Sequence, residues 1–460
     1  MKTMRQYFKI QHPRLLPLGR LILVLPLFLL FDSPLYMNLF FVAIGIFSLW
    51  LAVQAGKEPE SLRSPRFLYR RIARFCLWAF MVIGLLQLIP VPVFALKLAS
   101  PNTVKVLETF QDSLPLLTTL SLAPADTLHH WMQIGGIVLC CGLIAYVQFG
   151  LDDVRELLKT IVISGLFLMI CGGLFYFAAE ILSSNEADYL VPLRRRMTFY
   201  AAMCLPAAIS ILLSKMKYIG SRRGFASKLR QAVKEDPLIW GYVAVPLVLF
   251  VFLLVNAEGS GFWAAFIPLA IYFLVLTYLR TAKPLRRKLR YVFVTVGILF
   301  LLTGVFKSLS SSVGHNSIGD ITPGSWDIAG DITADFPIFG TGWGTFSSVA
   351  RFYSFQYEGM PPADAGGDFL EASAESGILA TILIFGFFLT WLAGMTRMWW
   401  ARRHPDVKIL GLAVLCALLV GLMHSLFQSS LHVPPQLFLM GLFMVLGIKT
   451  VTYKKHFPAD

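Results

Sequence analysis

The chain has 460 residues, of which 57% are hydrophobic and only 14% charged, and its mean hydropathy is +0.68. That composition excludes an ordinary soluble domain and reads as a polytopic membrane protein. The net charge of +14 does not point to nucleic acid, because the basic residues fall in short loops between apolar runs, where they set membrane orientation.

A helix needs about twenty apolar residues to cross the hydrocarbon core, and about twelve runs qualify: 16–32, 35–54, 73–92, 131–149, 157–180, 198–214, 238–256, 260–279, 291–308, 370–395, 408–427 and 433–450. The expected fold is therefore an all-α polytopic membrane protein. The first run keeps Arg20 and lacks a small-residue cleavage pattern, so it reads as an anchor rather than a removable signal. The six cysteines all lie within apolar runs, as buried small hydrophobes do. No spacing suggests a metal site, and no metal or cofactor is expected.

Basic residues divide the loops into two sets. One holds Lys2 to Arg14, Arg63 to Arg74, Lys215 to Lys234, Lys283 to Arg290, Arg397 to Lys408 and Lys449 to Lys455. The other holds only Lys97, Lys105, Arg194, Arg195, Arg196, Lys307 and Arg351. The positive-inside rule then makes both termini cytoplasmic. Three parts follow: residues 1–307 with helices one to nine and an arm near 93–130, a large outer loop over 308–369, and residues 370–460 with helices ten to twelve.

Several outer stretches stand out, among them Asn256–Gly261, a tight turn with one acid. Leu86–Pro101 and Leu120–Thr127 read as an interfacial arm, from their proline spacing and amphipathic composition. Arg194, Arg195 and Arg196 run against the positive-inside trend, as lipid-headgroup or substrate contacts. The stretch WDIAGDITADFPIFGTGWGTF and its continuation to Gly377 carry too many aromatics for a solvated linker, and long ordered loops are usually functional. Finally, His424 and His432 flank the turn of the last hairpin and read as interfacial packing.

From the end of the loop into the next helix, Asp368, Glu371 and Glu375 are spaced for helical faces, with the two glutamates sharing one. They are the acid–base candidates, with His315. Asp368 reads equally as a helix-start cap. A Glu375 placed within the bilayer would be costly without a partner or function. Arg351, Arg194, Arg195 and Arg196, with Trp326 and Trp343, are the substrate-binding candidates.

In order and kind, these motifs resemble the O-antigen ligase and O-antigen polymerase family of bacterial envelope proteins. LQLIPVP followed by LSLAPADT is similar to that family's first periplasmic arm. Asp335-Phe336-Pro337 leading to Gly340, Gly342 and Gly344 resembles its loop signature. DFLEASAESGIL and HSLFQSSLHVPPQ resemble the next helix entry and the closing hairpin. The resemblance implies a bacterial inner-membrane protein with a periplasmic loop. It implies transfer of a polyprenyl-diphosphate-linked glycan to an acceptor hydroxyl on a glycan or lipid, alongside other polysaccharide-assembly proteins.

The chain departs from the family at polar positions. Gly366 and Gly367 stand where a His-Asn pair precedes the acid of span ten, so the family's catalytic histidine is missing. Glu258-Gly259-Ser260 replaces a Ser-Arg-Gly turn, and Thr322 to Ser325 lack the arginine that precedes the loop tryptophan. Gln428 replaces an aspartate, and Arg194 to Thr198 replace an asparagine-rich turn. Two readings follow: a transferase with rearranged catalytic groups, or a catalytically inert relative that binds glycan or acts as a scaffold. A transporter would show intramembrane charges or interrupted helices that are scarce here.

Overall fold

The computed structural model describes residues 16–30, 34–55, 68–110, 115–147, 150–182, 187–216, 225–237, 239–257, 259–280, 325–354, 362 and 364–453. The expected span 291–308 and His315 lie outside the described residues. The first half contains α1 (Leu16–Leu30), α2 (Pro34–Ala55), α3 (Leu68–Leu86), α4 (Val93–Ala99), α5 (Pro101–Phe110), α6 (Pro124–Tyr146) and α7 (Leu151–Leu182). Next come α8 (Ala187–Lys215), α9 (Phe225–Glu235), α10 (Ile239–Asn256) and α11 (Gly259–Arg280). The segment before the last three long helices contributes α12 (Ser325–Asp335) and α13 (Phe346–Tyr353). The chain closes with α14 (Asp368–Ala401), α15 (Pro405–Phe427) and α16 (Pro434–Thr452). Among the described residues, nine helices are long and apolar enough to cross a membrane. The protein is an all-α polytopic membrane protein.

Two expected boundaries move for local reasons. The run 73–92 ends as a helix at Leu86, because Pro90 and Pro92 cannot continue the hydrogen-bond ladder. The run 131–149 starts early, at Pro124, because a proline is well suited to the first helical position.

α8 and α15 form the centre of the bundle; α8 is almost wholly buried between α7, α10, α11 and α15. Small residues such as Ala201, Ala202, Ala207 and Ala208 on α8 are buried and let neighbouring backbones approach, as in membrane helix packing generally. Its few polar side chains are paired inside the bundle. Ser164 and Tyr200 share a hydrogen bond of 2.6 Å, and Ser210 and Tyr272 one of 2.7 Å. Such pairing matters because no water in the hydrocarbon core would satisfy these hydroxyls.

The outer arm is built on a minimal antiparallel pair, β1 (Val91–Pro92) with β2 (Leu117–Thr118), in the register Val91 to Thr118 and Pro92 to Leu117. Leu96, Val104 and Leu120 form its small core, with Phe339 of the loop packed against them. Asn102 Nδ2 also donates to the Asp335 carbonyl at 2.8 Å. The arm and the loop are thus one outer layer over the bundle.

Candidate functional site

α14 is two helices joined at Gly377, whose φ of 81° and ψ of 166° break the ladder. A break exposes main-chain groups that must find other partners. The glycine-rich loop signature supplies them. Thr341 N donates to Ala374 O at 3.0 Å and Gly342 N to Glu375 O at 2.9 Å, while Ile378 N donates to Pro337 O at 2.9 Å. The signature therefore docks by its backbone onto the broken helix.

Close approach explains the glycines at two positions. At Gly342 (φ 118°) a Cβ would lie 2.3 Å from Ser121 Oγ, and at Gly377 it would lie 2.2 Å from Ile338 O. Neither position has room for a side chain or a φ that suits one. From the arm, Gln87 completes the joint. Its Nε2 donates to Phe339 O at 2.5 Å and Glu375 O at 2.8 Å, and its Oε1 accepts from Trp343 N at 3.3 Å.

The first piece of α14 carries the three expected acids, and each has a different employment. Asp368 follows the cap residue Gly367, and its carboxylate does not cap its own helix as the sequence allowed. It accepts instead from the N–H groups of Ser430 (3.1 Å), Leu431 (2.9 Å) and His432 (3.0 Å) in the closing turn. Glu375 Oε1 accepts from Phe346 N at 3.0 Å, at the start of α13, where the helix dipole favours an anion. That contact answers the cost of burying it. Glu371 is also buried, at 3% exposure. Ser429 Oγ donates to its Oε2 at 2.8 Å, and His432 Nδ1 lies 3.2 Å from its Oε1.

His432 makes a polar contact as well as a ring contact. Its side chain is 40% exposed and its ring is oriented by a buried carboxylate. A donor at Nδ1 toward Glu371 leaves Nε2 as the acceptor. The ring of His130, on α6, sits 5.1 Å from it, and His130 Nδ1 is 3.1 Å from Asp126 O. Gly344 makes room for that ring: a Cβ there would meet His130 Nδ1 at 2.0 Å. No motif singles out His129 and His130; their one signal is a histidine doublet one residue beyond the LSLAPADT motif.

The remaining candidates are dispersed around this centre. Arg351 is exposed near the end of α13, about 7–8 Å along the helix from the end that Glu375 holds. Arg194, Arg195 and Arg196 are half-buried on α8. They belong to the same end of the bundle, since Gln436 Nε2 of α16 reaches Arg196 O at 3.4 Å. Trp326 is exposed at the start of α12, whereas Trp343 is buried with its ring stacked on Phe80 at 4.6 Å. His424 is fully buried, its Nδ1 3.1 Å from Gln428 Oε1. Beside the loop core, Tyr353 Oη donates to Asp335 Oδ2 at 2.5 Å. Desolvation, then that bond and the charges of Asp335 and Asp331, push the phenol above its ordinary pKa. Among the described residues no group of three histidine, cysteine or acidic side chains is arranged to hold a metal ion.

The chain matches no family model and no curated protein. The site must be read from its own geometry. Chemically, it offers an exposed imidazole oriented by a buried carboxylate and a second imidazole beside it, with arginines on two further elements, α8 and α13.

Proposed function

We propose that this chain is a transferase of the O-antigen ligase/polymerase type, lying in the bacterial inner membrane with both termini cytoplasmic and the loop outside. It takes a polyprenyl-diphosphate-linked glycan and passes it to an acceptor hydroxyl. The carrying observation is the Glu371–His432 pair, 3.2 Å apart, with the carboxylate buried and the imidazole exposed. Such a pair is the arrangement of an oriented general base. It occupies the role left open where the family's histidine is replaced by Gly366 and Gly367.

In this reading the acceptor oxygen attacks the anomeric carbon and its proton passes to Nε2 of His432. The bond to the diphosphate breaks, and its electron pair leaves on the polyprenyl diphosphate. Arg351 and the Arg194–Arg196 run are the cations available for the leaving group, since guanidinium forks bind phosphate oxygens bidentately.

The second reading, an inert glycan-binding or scaffold subunit, is favoured by one observation. Asp368 and Glu375 both direct their carboxylates to main-chain N–H groups, which is anchoring rather than chemistry. Transfer from a purified polyprenyl-diphosphate glycan in nanodiscs separates the two. Transfer that falls about a hundredfold in His432→Ala and in Glu371→Gln supports the enzyme. Substrate binding without product across glycan and lipid acceptors overturns it in favour of the subunit.

A further inference from the structure

The arm carries an apolar surface that its own fold leaves open. Phe94 and Leu98, four apart on α4 and so on one face, are 78% and 90% exposed, and Leu116 is 90% exposed. Leu116 is their neighbour because Val93 N donates to Leu116 O at 3.3 Å. The opposite side of the arm is accounted for, since Leu96 packs toward Val104, Leu120 and Phe339.

What covers this patch is indicated by where it leads. Along α3, the exposed residues after Arg74 are Phe75, Trp78, Val82, Leu85 and Leu86, at spacings that keep them on one helical stripe. α3 packs along α14 with its other side, which leaves this stripe uncovered. Beyond the helix the exposed residues remain apolar through Ile89, Pro90 and Pro92 to Phe94; the first exposed charge is Lys97. Lys97 forms a 3.4 Å ion pair with Glu108 at the patch edge. An uninterrupted apolar surface that runs from α3, packed on the candidate span α14, onto the arm and ends at a lysine has the pattern of an interfacial element.

We infer that the arm is a membrane wedge: Phe94, Leu98 and Leu116 are immersed in the acyl region of the leaflet on the site's side, with Lys97 at headgroup level. The occupant of the patch is bilayer lipid, not a protein partner. The wedge fixes the height of the outer layer, and with it His432, relative to the headgroups. This inference is independent of the transfer reaction.

The test is thiol labelling of the full chain in nanodiscs, one molecule per disc, with a membrane-impermeant maleimide. Leu98→Cys is compared with Glu108→Cys on the same arm, after subtracting the signal of the natural cysteines. Because the thiolate reacts and apolar surroundings suppress it, the Leu98→Cys variant should label at least about tenfold more slowly. Phe94→Cys provides a second position should the first variant fold poorly. Equal rates at the patch and at Glu108→Cys would overturn the wedge and leave the patch free for a protein partner.

Discussion

Gln87 and Glu375, 288 positions apart in the chain, meet where the Gln87 side-chain amide donates to the Glu375 main-chain oxygen at 2.8 Å. The same amide holds Phe339 O, so one side chain ties arm, loop signature and broken helix together. Replacing it with leucine leaves two carbonyls with a lost donor. Gln87→Leu should lower stability by about 1–3 kcal/mol, seen as earlier thermal unfolding in detergent and faster proteolysis of the outer loop. An unchanged melting curve would show that the joint is held elsewhere.

Glycine substitutions should split sharply by position. Gly342→Ala and Gly377→Ala combine a positive φ with contacts under 2.5 Å, and the backbone strain alone costs about 1–3 kcal/mol. Gly136→Ala meets nothing within 4 Å and sits inside α6, where alanine is favoured by about 1 kcal/mol. Melting temperature should fall for the first two and stay level or rise for the third.

Asp368 is predicted to act on the closing turn rather than on the reaction. Asp368→Ala removes the acceptor shared by Ser430, Leu431 and His432 and should cost about 2–3 kcal/mol. Amide exchange should speed up at residues 430–432 in particular. Asp368→Asn, which keeps one carbonyl oxygen, should fall between the natural chain and the alanine variant.

His130 and His432 should separate in a transfer assay. Under the proposed transfer, His432→Ala removes the proposed base and should lower turnover about hundredfold with little change in substrate binding. His130→Ala leaves the Glu371 contact in place, so its effect should be smaller. A larger loss at His130 than at His432 would reassign the base.

Tyr353 sets an alkaline limit on the loop. Its folded pKa is raised, first by desolvation and then by Asp335, so its contribution is complete below the ordinary tyrosine value and is lost as pH rises through the folded one. Ultraviolet titration should show the natural chain and Tyr353→Phe to be alike in the tyrosinate signal near pH 10, where exposed tyrosines ionise. The two should diverge only at higher pH. Divergence already near pH 10 would mean that Tyr353 is solvated.

The membrane class was legible because apolar length is a one-dimensional property, and the runs that became α10, α11, α15 and α16 needed no partner to be recognised. The shared face of Glu371 and Glu375 was legible too, since helical spacing fixes it. The employment of those acids was not. Whether Asp368 caps a helix, and whether His432 packs or faces solvent, depends on which distant main-chain groups and side chains arrive beside them. His130 lies on α6 and His432 in the closing turn before α16, and no local pattern links the two. The sequence by itself determined that this chain is a bundle of apolar helices, with a glycine-rich loop followed by three acids at helical spacing. Only the tertiary structure decided that the glycines permit a backbone docking on a broken helix, and that the closing turn brings an imidazole to Glu371. Hydrophobic periodicity is carried by each segment alone, whereas hydrogen-bond satisfaction is settled only when separate segments meet.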